Sequence, residues 1–208
     1  MANMQSFAHE REHVTALISI PVNGIELEGI LVVPRHAKGV VLFAHGSGSS
    51  RLSPRNTFVA HNLHEAGIAT LLMDLLTKEE DIAYGNRFDI DLLTWRLERA
   101  TQWVMEQPRC SALDVGYFGA STGAAAALNA AATLGSAIGA VVSRGGRPDL
   151  ALPALANVQS PTLLILSSQR PQTILIELLI YCNYRATLKP SCNDGTLNMF
   201  IGCCLKVN

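Results

Sequence analysis

Two short apolar runs, separated by turn residues, follow the polar first 13 residues of the chain. Residues 14–20 and 25–33 are two runs rich in β-branched residues. The Asn23-Gly24 pair between them is a strong hairpin signal, because both residues tolerate positive φ. The pattern therefore predicts an antiparallel hairpin near the amino-terminal end.

Further along, the sequence predicts five strands, and the first and last two of them are apolar runs without polar alternation, as is typical of strands that are covered on both faces. The five strands lie at residues 39–44, 68–73, 114–118, 138–143 and 161–166. Helical patterns lie between several of them, at residues 54–66, 88–107 and 124–134. Strands that alternate with helices indicate βα units and a parallel sheet.

The first of these helical patterns has clear boundary signals. Ser53 is a candidate N-cap, Pro54 suits the first turn, and Gly67 is a candidate stop. Phe58 and Leu63 are expected on its inward face, together with Ala66.

Composition narrows the class of protein. The chain has 208 residues, of which 49% are hydrophobic and 16% charged, against about 25% charged in typical domains. A net charge of −1 without a basic block argues against a nucleic-acid partner. The polar start does not resemble a secretory signal, and no run of about 18 apolar residues predicts a membrane span. Five unevenly placed cysteines without a CxxC motif favour a reduced, cytoplasmic protein that holds no metal.

The segment GASTG at residues 119–123 carries the strongest chemical signal. It lies between a predicted strand and a predicted helix, and such a turn exposes a serine hydroxyl while its glycines leave room for close neighbours. The start of a helix also supplies free N–H groups and a positive dipole end, which favour a developing oxyanion. We interpret Ser121 as a candidate catalytic nucleophile, the alternative being a glycine-rich turn in which Ser121 is only a cap.

A second motif, HGSG at residues 45–48, follows the strand predicted at 39–44. With this loop, the segment GYFGASTGAAAAL at residues 116–128 and the order of elements, the chain resembles the α/β-hydrolase family. The resemblance covers about residues 14–166. Within the family, the chain resembles the dienelactone-hydrolase-like branch in particular. The resemblance implies an α/β-hydrolase domain over residues 1–166, with a mostly parallel sheet, an amino-terminal antiparallel hairpin and helices on both faces.

The resemblance also implies roles for the two loops. In that family, one oxyanion-binding N–H comes from the loop after this strand and the other from the residue after the nucleophile. The matching positions here are Ser47 and Thr122. His45 is then expected to be a structural histidine of the loop.

Residues 141–149, VVSRGGRPD, end a predicted strand, where open α/β sheets place their ligands. Arg144 and Arg147 beside glycines suit a carboxylate or phosphate, although a solvated loop fits the same pattern. Asp149 is a candidate for the acid that orients a histidine, as any loop carboxylate would be.

The acid and histidine that the family places after its nucleophile are missing from the expected places. All six histidines precede Ser121, and the strand predicted at 161–166 is followed by SSQR at residues 167–170. A serine without a neighbouring base is a poor nucleophile, because its hydroxyl stays protonated. The explanation we favour is a degenerate or truncated hydrolase with a change of reading frame near Gln169. The other explanation is recruitment of an upstream histidine, of which His45 is nearest by topology.

Residues 167–208 therefore form an atypical C-terminal segment of the same domain, and the sheet is expected to end incompletely. The pattern there is ambiguous, with a helix at 173–181 and a strand at 197–202 as possible elements. Without a strand from this segment, the strand at 161–166 becomes a sheet edge with unpaired backbone groups.

These observations predict a serine hydrolase that acts on ester or lactone bonds of small molecules. Its activity is expected to be impaired, because the catalytic acid and histidine are missing. The alternative is a non-catalytic or truncated hydrolase-like binding protein. A mononucleotide-binding domain fits less well, because the loop at 45–50 lacks the lysine of a phosphate-binding loop. We expect no metal or organic cofactor, a small-molecule substrate, no nucleic-acid or membrane partner, and a cytoplasmic location. Substrate identity and oligomeric state stay open.

Overall fold

A computed structural model describes residues 13–165 and the short strand at 187–189. The strands are β1 (His13–Val22), β2 (Ile25–Pro34), β3 (Gly39–Ala44), β4 (Ala69–Met73), β5 (Asp114–Ala120), β6 (Ile138–Arg144), β7 (Thr162–Ile165) and β8 (Thr187–Lys189). The α-helices are α1 (Pro54–Glu65), α2 (Lys78–Ile82), α3 (Ile90–Glu106) and α4 (Thr122–Leu134). Short 3₁₀ helices cover Tyr84–Phe88, Gly135–Ala137, Pro148–Ala151 and Leu155–Asn157.

The strands form one eight-stranded sheet in the order β1-β2-β4-β3-β5-β6-β7-β8. β1 pairs antiparallel with β2 and β2 antiparallel with β4, and every later pairing is parallel. This arrangement confirms the predicted mostly parallel α/β sheet with an antiparallel hairpin in front. It also aligns the carboxyl ends of β3, β4, β5 and β6 along one edge.

The hairpin turn has the geometry that its residues favour. Asn23 has φ 44° and Gly24 has φ 81°, and these two residues connect the paired residues Val22 and Ile25. Positive φ at both central positions is the mark of a type I′ turn, whose twist matches that of the flanking strands. The hairpin is therefore determined locally.

Helix α1 begins where its sequence signals predict. The Ser53 side chain accepts a hydrogen bond from the N–H of Asn56 at 3.4 Å, and Gly67 beyond the helix end has φ 74°. The expectation that Phe58 faces inward is wrong, because its side chain is 54% exposed while Leu63 is buried. Asn56 is also buried, and Phe58 lies roughly 200° around the helix from it.

Helices cover the sheet on both faces. On one face, Leu63 of α1 packs in a cluster with Phe43 of β3 and Phe118 of β5. On the other face, Leu97 of α3 and Leu128 of α4 pack in the larger cluster of buried residues. A strand that is buried on both faces needs apolar residues throughout, which explains the uninterrupted runs in the sequence.

The sequence pattern did not predict β8, which pairs in parallel with β7 from Leu163↔Thr187 to Ile165↔Lys189. The backbone groups of β7 on this side therefore have a neighbouring strand. The elements suggested at 173–181 and 197–202 lie outside the described residues. Within the described part of the chain, no helix is long and apolar enough to cross a membrane.

Candidate active site

Ser121 lies at the junction between β5, which ends at Ala120, and α4, which begins at Thr122. Its backbone has φ 51° and ψ −121°, a conformation that L-residues rarely adopt and that is strained. Asn23 is the only other non-glycine residue with positive φ in the part of the chain described. Ser121 is thus held at a sharp turn at the carboxyl end of a central strand, as the sequence predicts.

The two glycines of the motif allow this turn to pack against its neighbours. A Cβ on Gly123 would lie 2.2 Å from the carbonyl oxygen of Ala44 and 2.4 Å from that of His45. A Cβ on Gly119 would lie 2.4 Å from Cα of Ala124. Only glycine permits these approaches, and they bring the start of α4 against the end of β3.

The same packing brings the loop after β3 beside Ser121. A Cβ on Gly46 would lie 3.0 Å from the Ser121 Cβ. The backbone N–H of Ser47 donates a hydrogen bond of 3.1 Å to Oγ1 of Thr122, a side chain that is only 2% exposed. The structure therefore brings Ser47, Ser121 and Thr122 together, although these residues come from two loops far apart in sequence.

His45 supports this loop through both of its ring nitrogens. Nε2 accepts a hydrogen bond from the N–H of Leu75 at 3.2 Å, and Nδ1 lies 2.9 Å from the carbonyl oxygen of Gly46. A backbone N–H can only donate, so a neutral His45 carries its proton on Nδ1 and donates it to Gly46. Neither nitrogen is left to accept a proton from Ser121.

Other described histidines lie at the opposite edge of the sheet. His36 lies just before β3 begins, and His64 contacts Oγ1 of Thr70, near the start of β4, at 2.7 Å. His13, the first residue of β1, stacks on His64 with ring centroids 6.4 Å apart. Burial, and to a lesser extent the charges of His13 and His61, lowers the pKa of His64 to about 4.

An ion-pair network anchors the loop after β3, and sequence reasoning missed it. The Arg51 N–H donates to Oδ1 of Asp74 at 2.6 Å, and its guanidinium pairs with Asp74 and, at 2.8 Å, with Glu28. The only signal in the sequence is the position of Asp74 directly after a strand, which gives no indication of its partner. The network ties the loop to Glu28 near the start of β2 and to Asp74 directly after β4.

The loop after β6 also touches the turn at Ser121. The Arg147 N–H donates to the carbonyl oxygen of Ser121 at 3.2 Å, and the Gly145 N–H donates to Ile165 at 2.7 Å. The Arg147 guanidinium binds both carboxylate oxygens of Asp149, at 2.9 and 2.7 Å. Hydrogen bonding to Arg147 lowers the pKa of Asp149, so the arginine holds this carboxylate in its charged form. The role of Asp149 as the acid that orients a histidine stays a prediction.

Arg144 differs from Arg147 because no described carboxylate pairs with it. It is the last residue of β6 and lies opposite Ala120, the residue before Ser121, in the parallel register. Its guanidinium lies 6.0 Å from the centroid of the Phe118 ring. Burial and, secondarily, the charge of Arg55 lower the pKa of Arg144. A half-buried cation beside a second cation favours binding of an anion.

An aromatic pair borders the same edge, on the segment between β4 and α3. The rings of Tyr84 and Phe88 lie 5.1 Å apart, and Arg87, which pairs with Asp81 at 2.7 Å, lies over the Tyr84 ring. A Cβ on Gly48 would lie 3.9 Å from Nη1 of Arg87, so this segment adjoins the loop after β3.

Among the described residues, no group of three or more histidine, cysteine, aspartate or glutamate side chains could hold a metal ion.

Known structures share the fold of this chain. The dienelactone hydrolase of Anabaena variabilis is 44% identical and superposes with a TM-score of 0.82 over 92% of this chain and 94% of that chain. The esterase PF2001 of Pyrococcus furiosus (16% identity, TM-score 0.70, 93% and 90% coverage) shares the fold alone. The dienelactone hydrolase-like promiscuous phosphotriesterase P91 from metagenomic libraries also shares the fold alone (17% identity, TM-score 0.68, 86% of this chain and 80% of that chain covered).

Among curated sequences, the chain is 53% identical over 158 residues to a protein from two strains of Mycobacterium tuberculosis that is provisionally named a phosphoribosyl transferase. The match covers 76% of this chain but 35% of that protein, so the chain spans about a third of the length of these relatives. No family model matches the chain.

A strained serine between β5 and α4 of a mostly parallel sheet is the arrangement that defines the α/β-hydrolase class. On its similarity to the Anabaena protein, the chain belongs to the dienelactone hydrolase family of α/β-hydrolases.

Proposed function

We propose that the protein is a serine hydrolase that cleaves ester or lactone bonds of small molecules, with Ser121 as its nucleophile. The observation that carries the proposal is the strained Ser121, the residue directly before α4, whose neighbour Thr122 accepts a hydrogen bond from the N–H of Ser47. Holding the Ser121 backbone in this conformation costs free energy, and such strain is concentrated at functional sites. The name of the 44% identical dienelactone hydrolase supports the choice of ester and lactone substrates.

In the proposed reaction, Oγ of Ser121 attacks the carbonyl carbon and the carbonyl electron pair moves onto oxygen. The N–H groups of Ser47 and Thr122 stabilise this oxyanion, together with the positive end of α4. The bond to the leaving oxygen then breaks, and the leaving oxygen takes the proton of Ser121. Water hydrolyses the resulting acyl-serine and releases the acid. A lactone yields the ring-opened hydroxy acid by the same steps.

We expect the acylation step to be slow, because no described residue is placed to accept the serine proton. A positioned base typically contributes about 10²–10⁴ in rate. A hydrolase that lacks its triad still accelerates the reaction by about 10³–10⁴ over water through its oxyanion hole and binding. The residual activity of this site should therefore be measurable with activated esters, which need little help with the leaving group.

Arg144 is our candidate for substrate selection. Because it lies opposite Ala120 in the sheet, its Cα is about 4.8 Å from that of the residue preceding Ser121. Its charge has no described carboxylate as a counterion, whereas Arg147 is neutralised by Asp149. We propose that Arg144 receives an anionic group of the substrate, a carboxylate or a phosphate.

A second candidate function is ligand binding without turnover. It is favoured by the engagement of both His45 ring nitrogens with backbone groups and by the absence of any histidine after Ser121 in the sequence. A binding protein of this kind would retain the N–H donors of Ser47 and Thr122 but leave Ser121 protonated and unreactive.

A fluorophosphonate probe separates the two functions. Labelling of the wild-type protein that disappears in Ser121→Ala, with slow release of p-nitrophenol from p-nitrophenyl acetate by the wild type, supports the hydrolase. The matched control is Ser111→Ala, because Ser111 lies on an exposed turn after α3 and is expected to label like the wild type. Folded wild-type protein that neither labels nor turns over the ester contradicts the hydrolase and supports the binding function.

A further inference from the structure

We propose that the hydroxyl of Thr122 occupies the oxyanion-binding N–H of Ser47 in the free protein, and that the reacting carbonyl oxygen displaces it. The inference rests on the proposed function, since it concerns the reaction at Ser121. It assigns the Thr122 side chain a part in catalysis that differs from the part of its backbone N–H. The side chain is an internal competitor for the oxyanion hole.

The hydrogen bond between these residues is the basis of the inference. A backbone N–H has one hydrogen, and that of Ser47 is directed to Oγ1 of Thr122 at 3.1 Å. Thr122 is 2% exposed and is the first residue of α4, so its side chain is enclosed where the helix begins. A carbonyl oxygen that binds the Ser47 N–H must share or replace this hydrogen bond.

The two sides of this contact are held independently of one another. Arg51 and Asp74 anchor the loop that carries Ser47, and Gly123 packs α4 closely against the end of β3. The hydroxyl therefore stays within reach of the N–H unless its own side chain rotates. Rotation about one bond, rather than movement of a loop, frees the oxyanion hole.

The exchange favours the transition state over the bound substrate. A hydroxyl and an ester carbonyl are both neutral acceptors, so the substrate gains little by displacing Thr122. Hydrogen bonds to an ionised acceptor are roughly twice as strong as neutral ones, so the oxyanion displaces the hydroxyl readily. An interaction realised only in the transition state raises kcat rather than merely lowering KM.

The test uses Thr122→Val, which keeps the shape of the side chain and removes its oxygen. We expect the second-order rate constant for labelling of Ser121 by a fluorophosphonate to rise about three- to tenfold, the equivalent of one net hydrogen bond. Thr122→Ser keeps a hydroxyl and should raise the rate less than Thr122→Val. The control is Thr133→Val, because Thr133 lies exposed on the same helix, where its Oγ1 donates to Asn129 at 3.1 Å.

A second measurement follows the hydrogen bond directly. Amide hydrogen exchange of Ser47, observed by NMR, should be about tenfold faster in Thr122→Val than in the wild type, the equivalent of one net hydrogen bond. Unchanged exchange means that Thr122 does not hold this N–H, and it overturns the inference whatever the activity. If Thr122→Val does not fold, Thr122→Ala takes its place in both measurements.

The outcomes separate this inference from the proposed function. Labelling of the wild type with a lower or unchanged rate in Thr122→Val overturns the inference alone, because the hydroxyl then positions the loop or donates its own proton. A wild type that is never labelled overturns the proposed function, and the inference with it. A faster rate together with faster Ser47 exchange supports both.

Discussion

Nε2 of His45 accepts a hydrogen bond from the backbone N–H of Leu75 at 3.2 Å, while Nδ1 of the same ring faces the carbonyl oxygen of Gly46. The ring thereby joins the loop after β3 to the chain that leaves β4. This histidine, although next to the turn at Ser121, serves the backbone. Its place at the carboxyl edge of the sheet is therefore structural, as the family resemblance implies.

We predict that His45→Ala lowers the free energy of unfolding by about 1–3 kcal/mol, because it leaves the buried N–H of Leu75 without an acceptor. Urea unfolding measures this loss, with the exposed His36→Ala as the control. Where the His45→Ala variant stays folded, its profile of Ser121 labelling rate against pH should have the same shape as that of the wild type. A fall of about 10²–10⁴ with loss of an inflection near neutral pH would instead identify His45 as a base.

Gly123→Ala should be among the most damaging single changes at the turn. Its Cβ would lie 2.2 Å from the Ala44 carbonyl oxygen, and backbone on both sides leaves little room to relax. We expect a loss of about 3 kcal/mol in stability and strongly reduced labelling of Ser121. Gly85→Ala is the matched control, because a Cβ there meets nothing within 4 Å. Equal unfolding midpoints for the two variants would contradict this close packing of Gly123 against the end of β3.

Arg144→Gln should reduce the preference for anionic esters. A hydrogen bond to a charged group contributes about 1.5–3 kcal/mol, so the ratio of kcat/KM for a carboxylate-bearing ester to that for its neutral methyl-ester analogue should fall by about tenfold or more. Arg144→Lys retains the charge and should recover part of the ratio. Arg109→Gln, at an exposed arginine before Cys110, serves as the control. An unchanged ratio in Arg144→Gln would show that this cation does not meet the substrate.

Stability should decrease as pH falls from about 6.5 towards 4, in part because of His64. Its pKa is lowered from 6.5 in the unfolded chain to about 4 in the folded protein, so the unfolded state binds the proton more tightly in this range. Above pH 6.5 the folded protein has no such penalty. His64→Gln should flatten the unfolding free energy between pH 4 and 6.5, and His36→Gln, at an exposed position, should not. Parallel pH curves for the wild type and His64→Gln would exclude the effect.

Much of the scaffold could be predicted because its signals are local. Asn23 and Gly24 determine their turn through their own φ preferences, and Ser53 with Pro54 determines the start of α1. The apolar run of β3 was predicted with its observed bounds, Gly39–Ala44, since a strand buried on both faces needs apolar residues throughout. The turn at Ser121 was predicted from its glycines and from its position between a strand and a helix.

Other features depend on contacts between residues that are distant in the sequence. The exposure of Phe58 follows from which face of α1 meets the sheet, and the pairing of β8 with β7 follows from a return of the chain that no local pattern marks. The sequence by itself determined the order of elements and the position of Ser121 and its glycines between a strand and a helix. Only the tertiary structure decided that the Ser47 N–H donates to Oγ1 of Thr122 and that the Leu75 N–H donates to Nε2 of His45. These hydrogen bonds join segments that the packing of the sheet brings together.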